Sequence, residues 1–179
     1  MLPRPQDELD KLAASLLVSL KIDAIPVPVD RVARRLGAQL RYSPLDSELA
    51  GMVFIKDGVP IIGVNSLHQP NRQRFTIAHE IAHLHLHERE VAAAVHVDKG
   101  FPDAALRRDK RSADGSELLE IEANRFASAL LMPRSAVESE LRAHPIDIED
   151  PSAMERMAKR FRVSGAALQF RLRGLGETK

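Results

Sequence analysis

His79-Glu80-Ile81-Ala82-His83 sets two imidazoles four residues apart, with a carboxylate directly after the first. On a helix, positions i and i+4 lie on one face a single turn apart, so both rings can reach one tetrahedral zinc ion. Glu80 is then placed to take a proton from a water that the metal polarises, which is the chemistry of hydrolysis. The spacing works only on a helix, and RFTIAHEIAHLHL supplies one, since no Gly or Pro interrupts residues 72–86. The chain contains no Cys, so a disulfide framework and a thiolate metal site are both excluded. Any metal here rests on His and carboxylate.

A hydrolytic zinc site usually offers three protein ligands and leaves one position for water. A third His six residues after His83 would complete one known pattern, but that position is Arg89, and Leu86 stands where the same pattern needs Gly. The third ligand therefore comes from elsewhere, and the helix EIEANRFASALLMP at 120–133 is the best source. Glu120 and Asn124 share a face at i and i+4, together with Ala127 and Leu131, and a carboxylate on an otherwise apolar face is costly unless paired or bound to metal. Asn124 can orient a ligand histidine through its second ring nitrogen. Glu122 is the competitor on the same helix. His68, His85, His87, His96 and His144 are read as surface or packing histidines, His85 and His87 lining the end of the HEIAH helix or the start of a strand.

The elements that must position these groups follow from pattern. Leu9, Leu12, Leu16, Leu17 and Leu20 form a helical stripe over residues 7–20. Asp30 is expected to cap a short helix that Gly37 stops. Runs at 39–42, 50–55 and 59–64 read as strands of a small antiparallel sheet, with Lys56-Asp57-Gly58-Val59 as the hairpin turn. Residues 70–86 are helical, 98–116 read as a basic mobile loop, and further helices are expected at 117–132, 134–142, 151–161 and 165–173. The fold class is α+β: a small sheet packed on helices, with a helical C-terminal part.

Composition narrows the class further. The 179 residues carry 26 Lys and Arg against 25 Asp and Glu, a net charge of +1, so nothing in the overall field favours nucleic acid or an acidic membrane. The N-terminal flank is acidic, unlike a secretory leader, and no apolar run approaches a membrane span. The chain is read as cytoplasmic, with no membrane partner.

The pieces Pro28-Val29-Asp30 with Leu36-Gly37, Ile62-Gly63-Val64-Asn65, RQRFTIAHEIAHLHLH at 72–87 and EIEANRFASALLMP at 120–133 together resemble the ImmA/IrrE family of metallo-endopeptidases. The resemblance implies a gluzincin-like zinc peptidase core, with His79, His83 and Glu120 as metal ligands and Glu80 as the catalytic base. It also implies a cytoplasmic regulatory protease that cleaves a helix-turn-helix (XRE-type) transcriptional repressor and so relieves repression. The length is similar to that of the short, phage- or mobile-element-associated members. A metallopeptidase domain over 1–144 and a helical C-terminal segment over 145–179 are expected.

The stretch MERMAKRFRVSGAALQFRLRGLG at 154–176 reads helix, short turn, helix, with Arg156, Lys159, Arg160, Arg162, Arg171 and Arg173 as local positive charge. The second of these helices starts with Ala166-Ala167, where base-contacting helices offer polar side chains, so packing is favoured over DNA contact. Gln169 and Arg171 keep a DNA contact open. Two other classes of function stand beside the enzyme: a zinc-containing adaptor that holds a repressor without cutting it, and a DNA-binding regulator. The carboxylate of Glu80 favours the enzyme, because a purely structural site has no use for it.

Overall fold

The computed structural model describes residues 2–46, 49–93, 96–99, 110–144 and 150–176. Helix α1 (Gln6–Ser19) buries Leu9, Ala13, Leu16 and Leu17 along one stripe, as its periodicity requires. Helix α2 (Val29–Arg35) follows a cis Ile25–Pro26 bond. Pro28 rather than Asp30 stands at its N-cap, and no side chain bonds the free amides. Asp30 lies in the first turn, where its charge still faces the positive end of the helix. Gly37 at φ +80° ends the segment in the left-handed region that glycine adopts without strain.

Strands β1 (Gln39–Ser43), β2 (Leu49–Lys56), β3 (Val59–Asn65) and β4 (His96–Lys99) form one sheet in the order β1-β3-β2-β4. The β2–β3 hairpin turns through Asp57 and Gly58, both at positive φ. The sheet is mixed, not wholly antiparallel as the pattern suggests. β1 pairs parallel to β3, in register from Gln39 opposite Ile61 to Ser43 opposite Asn65. Two features explain the crossing. Hairpin partner β2 occupies one edge of β3, leaving only the other for β1, and the buried Asn65 amide holds the connection between β1 and β2. Its Nδ2 donates to the carbonyls of Leu45 (3.2 Å), Asp46 (3.1 Å) and Leu49 (2.8 Å), and its Oδ1 accepts from the amides of Leu45 and Leu67. Strand β4 has too short a run for its period to stand out.

Helix α3 (Pro70–Leu86) starts with proline at its first turn and is the centre of the molecule, packed on β2 and β3, on α2 and on the long helix α5 (Lys110–Leu131). Every residue from Thr76 to His83 is buried. A short helix α4 (Glu88–Ala93) continues the chain. The basic segment expected at 98–116 is structured at both ends: residues 98–99 belong to β4 and 110–116 to α5. Residues 100–109 lie outside the described residues.

Helices α6 (Arg134–Ala143), α7 (Pro151–Phe161) and α8 (Gly165–Gly176) complete the chain. Asp150 caps α7 by accepting from the Ser152 amide at 2.8 Å. Arg162, in the left-handed region, closes it. Buried Met157, Phe161 and Leu168 join the same core as Leu9 and Phe126. Arg171 is buried as well: its Nη1 bonds Asp10 of α1 at 2.6 Å and its Nε donates to the Met132 carbonyl at 3.0 Å. In the sequence this guanidinium counts among the surface charges that could meet DNA. In the fold it packs α8 against α1 and the end of α5, and its aliphatic stem adds apolar surface to that contact.

Candidate metal centre

His79 and His83 stand one turn apart on α3, and their Nε2 atoms approach to 3.0 Å. Glu120, on α5, places Oε2 at 3.2 Å from His79 Nε2 and Oε1 at 3.5 Å from His83 Nε2. The three ligand atoms lie within 4.8 Å of one another. Zinc bonded to nitrogen at about 2.0 Å in a tetrahedron spaces neighbouring donors about 3.3 Å apart, so this group has the size of one zinc ligand set. The histidines are buried and the carboxylate is partly exposed, so the group is open to solvent on the Glu120 side.

The hydrogen-bond network fixes which nitrogen of each ring faces the group. His79 Nδ1–H donates to Asn124 Oδ1 at 3.1 Å. His87 Nε2–H donates to Glu122 Oε2 at 3.2 Å, which leaves His87 Nδ1 as an acceptor for His83 Nδ1–H at 3.1 Å. Both rings are therefore held with their Nε2 lone pairs converging beside a carboxylate, an arrangement that a cation stabilises. The observed donor set and spacing fit a divalent metal with nitrogen and oxygen ligands.

Glu122 is not among the three residues whose ligand atoms converge, and it has other partners. It accepts from the Arg4 backbone amide at 2.7 Å and pairs with the Arg4 guanidinium as well as with His87. Burial alone would raise its carboxyl, but the Arg4 amide, the His87 ring and the Arg4 charge together hold it below the usual carboxylate range. Burial pushes His87 down, and the Glu122 carboxylate only partly offsets that, so the ring stays neutral, as the relay to His83 requires.

The sequence pattern does not single out His87, although it continues the four-residue spacing of His79 and His83. Nor does it single out Gly51. A Cβ at that position would run into Thr76 Cγ2 and stand 2.7 Å from the Gly63 carbonyl and 3.3 Å from Glu80 Oε1. Strand β2 therefore passes directly against the buried Glu80, a closeness only glycine permits, and a glycine inside a strand is the available signal. His85 packs its ring on Phe126 (5.6 Å between centroids), where burial lowers its pKa. His144 ends α6, and His68 sits beside the Asn65 amide. Arg107 and Arg108 of the basic segment lie outside the described residues.

Comparison with known proteins gives a family and a fold likeness. The family profile Peptidase_M78, described as the IrrE N-terminal-like domain, matches residues 33–173. No curated protein sequence matches the chain. Among solved structures, a Mycobacterium tuberculosis transcriptional regulator is similar over 90% of this chain and 44% of its own, with a TM-score of 0.61 and 17% identity. At that identity the likeness is one of fold. The chain spans less than half the length of that regulator. Among the described residues no helix is long and apolar enough to cross a membrane.

Proposed function

The chain belongs to the IrrE N-terminal-like peptidase family, and from that premise we propose that it is a zinc-dependent endopeptidase with a gluzincin-like core, acting in the cytoplasm on a helix-turn-helix repressor. The observation that carries the reading is the convergence of His79, His83 and Glu120 on one point, with Glu80 next to the first ligand on the same helix. His79, His83 and Glu120 would hold the metal, while Asn124 and the His87–Glu122 pair hold the two rings in register. Zinc supplies a Lewis acid that polarises the scissile carbonyl and lowers the pKa of water. Glu80 accepts the proton of the attacking water and delivers it to the leaving amine. Burial of the rings and of Glu80 keeps bulk water from competing for these protons.

Repressor cleavage as the biological outcome rests on family membership, and the regulator-like neighbour supports a regulatory setting. An adaptor that binds the repressor without cutting it would keep the metal but make no use of Glu80. The test is metal analysis together with proteolysis of a candidate repressor encoded beside this gene. About one zinc per chain and a single defined cut support the enzyme. Zinc with stable repressor binding and no cut favours the adaptor.

A further inference from the structure

The chemistry above makes no use of α8 or the turn before it, yet Val163, Ser164, Ala167 and Phe170 form one wall of a cavity that also reaches Asn124, the partner of His79. Its volume is about 690 Å³, in the range of sites that enclose ligands. Phe75 of α3, Ile121, Asn124 and Leu131 of α5, and Ala167 and Phe170 of α8 form much of its wall. Asn124 also accepts from His79 Nδ1, so one residue of the cavity wall touches one of the two histidines of the metal group.

The far wall is fixed in place. Asn71 Nδ2 donates to the Val163 carbonyl at 3.2 Å and Arg74 Nε to the Arg162 carbonyl at 3.3 Å, which ties the turn between α7 and α8 to α3. Arg171 ties α8 to the end of α5 through the Met132 carbonyl. Phe170 is half exposed, although aromatic side chains of this size are usually covered. The start of α8 offers Ala166 and Ala167, and its Arg171 is buried, so of the two contacts the sequence leaves open only the exposed Gln169 remains to read a base edge. An apolar wall beside a peptidase centre suits a polypeptide side chain better than a nucleic acid.

The geometry points to α8 and the turn that precedes it as the specificity wall of the peptidase: the cavity takes a large aliphatic or aromatic side chain of the substrate polypeptide, next to the bond that is cut. This inference rests on the metallopeptidase reading and deepens it. Helix α8 then selects the substrate, and Ala167 and Phe170 set the size of the side chain accepted.

Calorimetry on the zinc-loaded protein with metal-chelating probes tests it without requiring turnover. Acetohydroxamate reports the metal alone. N-acetyl-leucine hydroxamate and 2-isobutylsuccinyl hydroxamate carry an isobutyl group one and two carbons, respectively, from the chelating carbonyl, so the side chain is offered at two distances from the metal. One of these two should bind about tenfold or more tightly than acetohydroxamate, the gain expected from burying one such side chain. Ala167→Trp, which fills the cavity, should erase that gain and leave acetohydroxamate affinity unchanged. Phe170→Ala, at an exposed position that does not threaten the fold, should reduce the gain severalfold. Equal affinity of all three probes overturns the cavity assignment and leaves the metal reading standing. If no probe binds, the metal reading fails and this inference fails with it.

Discussion

His87 Nδ1 lies 3.1 Å from His83 Nδ1, so a third histidine on the same stretch of chain supports the second ring of the HExxH motif. Its other nitrogen meets Glu122, and Glu122 meets Arg4, so the N-terminal segment is connected to the metal centre through three side chains. Removing an outer partner of this kind typically costs tenfold to a hundredfold in metal affinity. His87→Ala and Asn124→Ala are each expected to weaken zinc binding by that order, as read by competition with a chromogenic chelator. Unchanged affinity in both would show that the rings need no such support.

Glu120 and Glu122 should separate cleanly. Glu120→Ala is expected to lose zinc, as are His79→Ala and His83→Ala. Glu122→Ala should keep most of the metal but leave the buried His87 and the Arg4 amide without their acceptor, at about 1–3 kcal/mol of stability. Metal content and thermal unfolding of the two variants decide the point. Zinc lost from the Glu122 variant and kept by the Glu120 variant would exchange their roles.

Much of this centre is legible in the sequence because its parts obey local rules. His79, Glu80 and His83 declare themselves by spacing on an uninterrupted helix, and Glu120 with Asn124 by the same periodicity on a second helix. What the pattern misses depends on contacts between distant segments. The parallel pairing of β1 follows from which edge of β3 is free, and from the many bonds Asn65 makes to a loop some 16–20 residues earlier. The role of Glu122 depends on Arg4, 118 positions away. Arg171 looks like surface charge because other basic residues surround it in sequence, and only the fold brings Asp10 to it.

Glu80→Gln should retain zinc, because the carboxylate is assigned to water rather than to the metal, and lose cleavage by about a hundredfold or more. Gly51→Ala probes the same carboxylate from the other side. Its new methyl meets Thr76 and the Gly63 carbonyl at distances that force β2 and α3 apart. A loss of about 1–3 kcal/mol, typical of overpacking, is expected in chemical denaturation. A Gly51→Ala protein with wild-type stability would mean that β2 does not approach α3 this closely.

The buried pair of Asp10 and Arg171 tests how α8 is held. Burial pushes the Arg171 pKa down while the Asp10 carboxylate pulls it up, and the guanidinium remains charged. Asp10→Ala leaves that charge in the core without its 2.6 Å partner, since Arg171 is only 1% exposed. Breaking a buried pair from one side costs about 3–5 kcal/mol, which in a domain of this size lowers the melting temperature by roughly 10 °C. Replacing both partners with apolar residues of similar volume removes the stranded charge. The double variant Asp10→Leu with Arg171→Met should therefore be more stable than Asp10→Ala alone. Arg134, whose Nη1 stands 2.7 Å from Asp7 and 3.9 Å from Asp10 Oδ2, is kept in place in every variant, and the contacts of Asp10 with Arg134 and with Gln6 Nε2 (3.0 Å) are lost equally in both proteins. Thermal unfolding of both proteins gives the comparison. If Asp10→Ala unfolds at the wild-type temperature, Arg171 must reach another acceptor or water, and the pair does not hold α8 to α1.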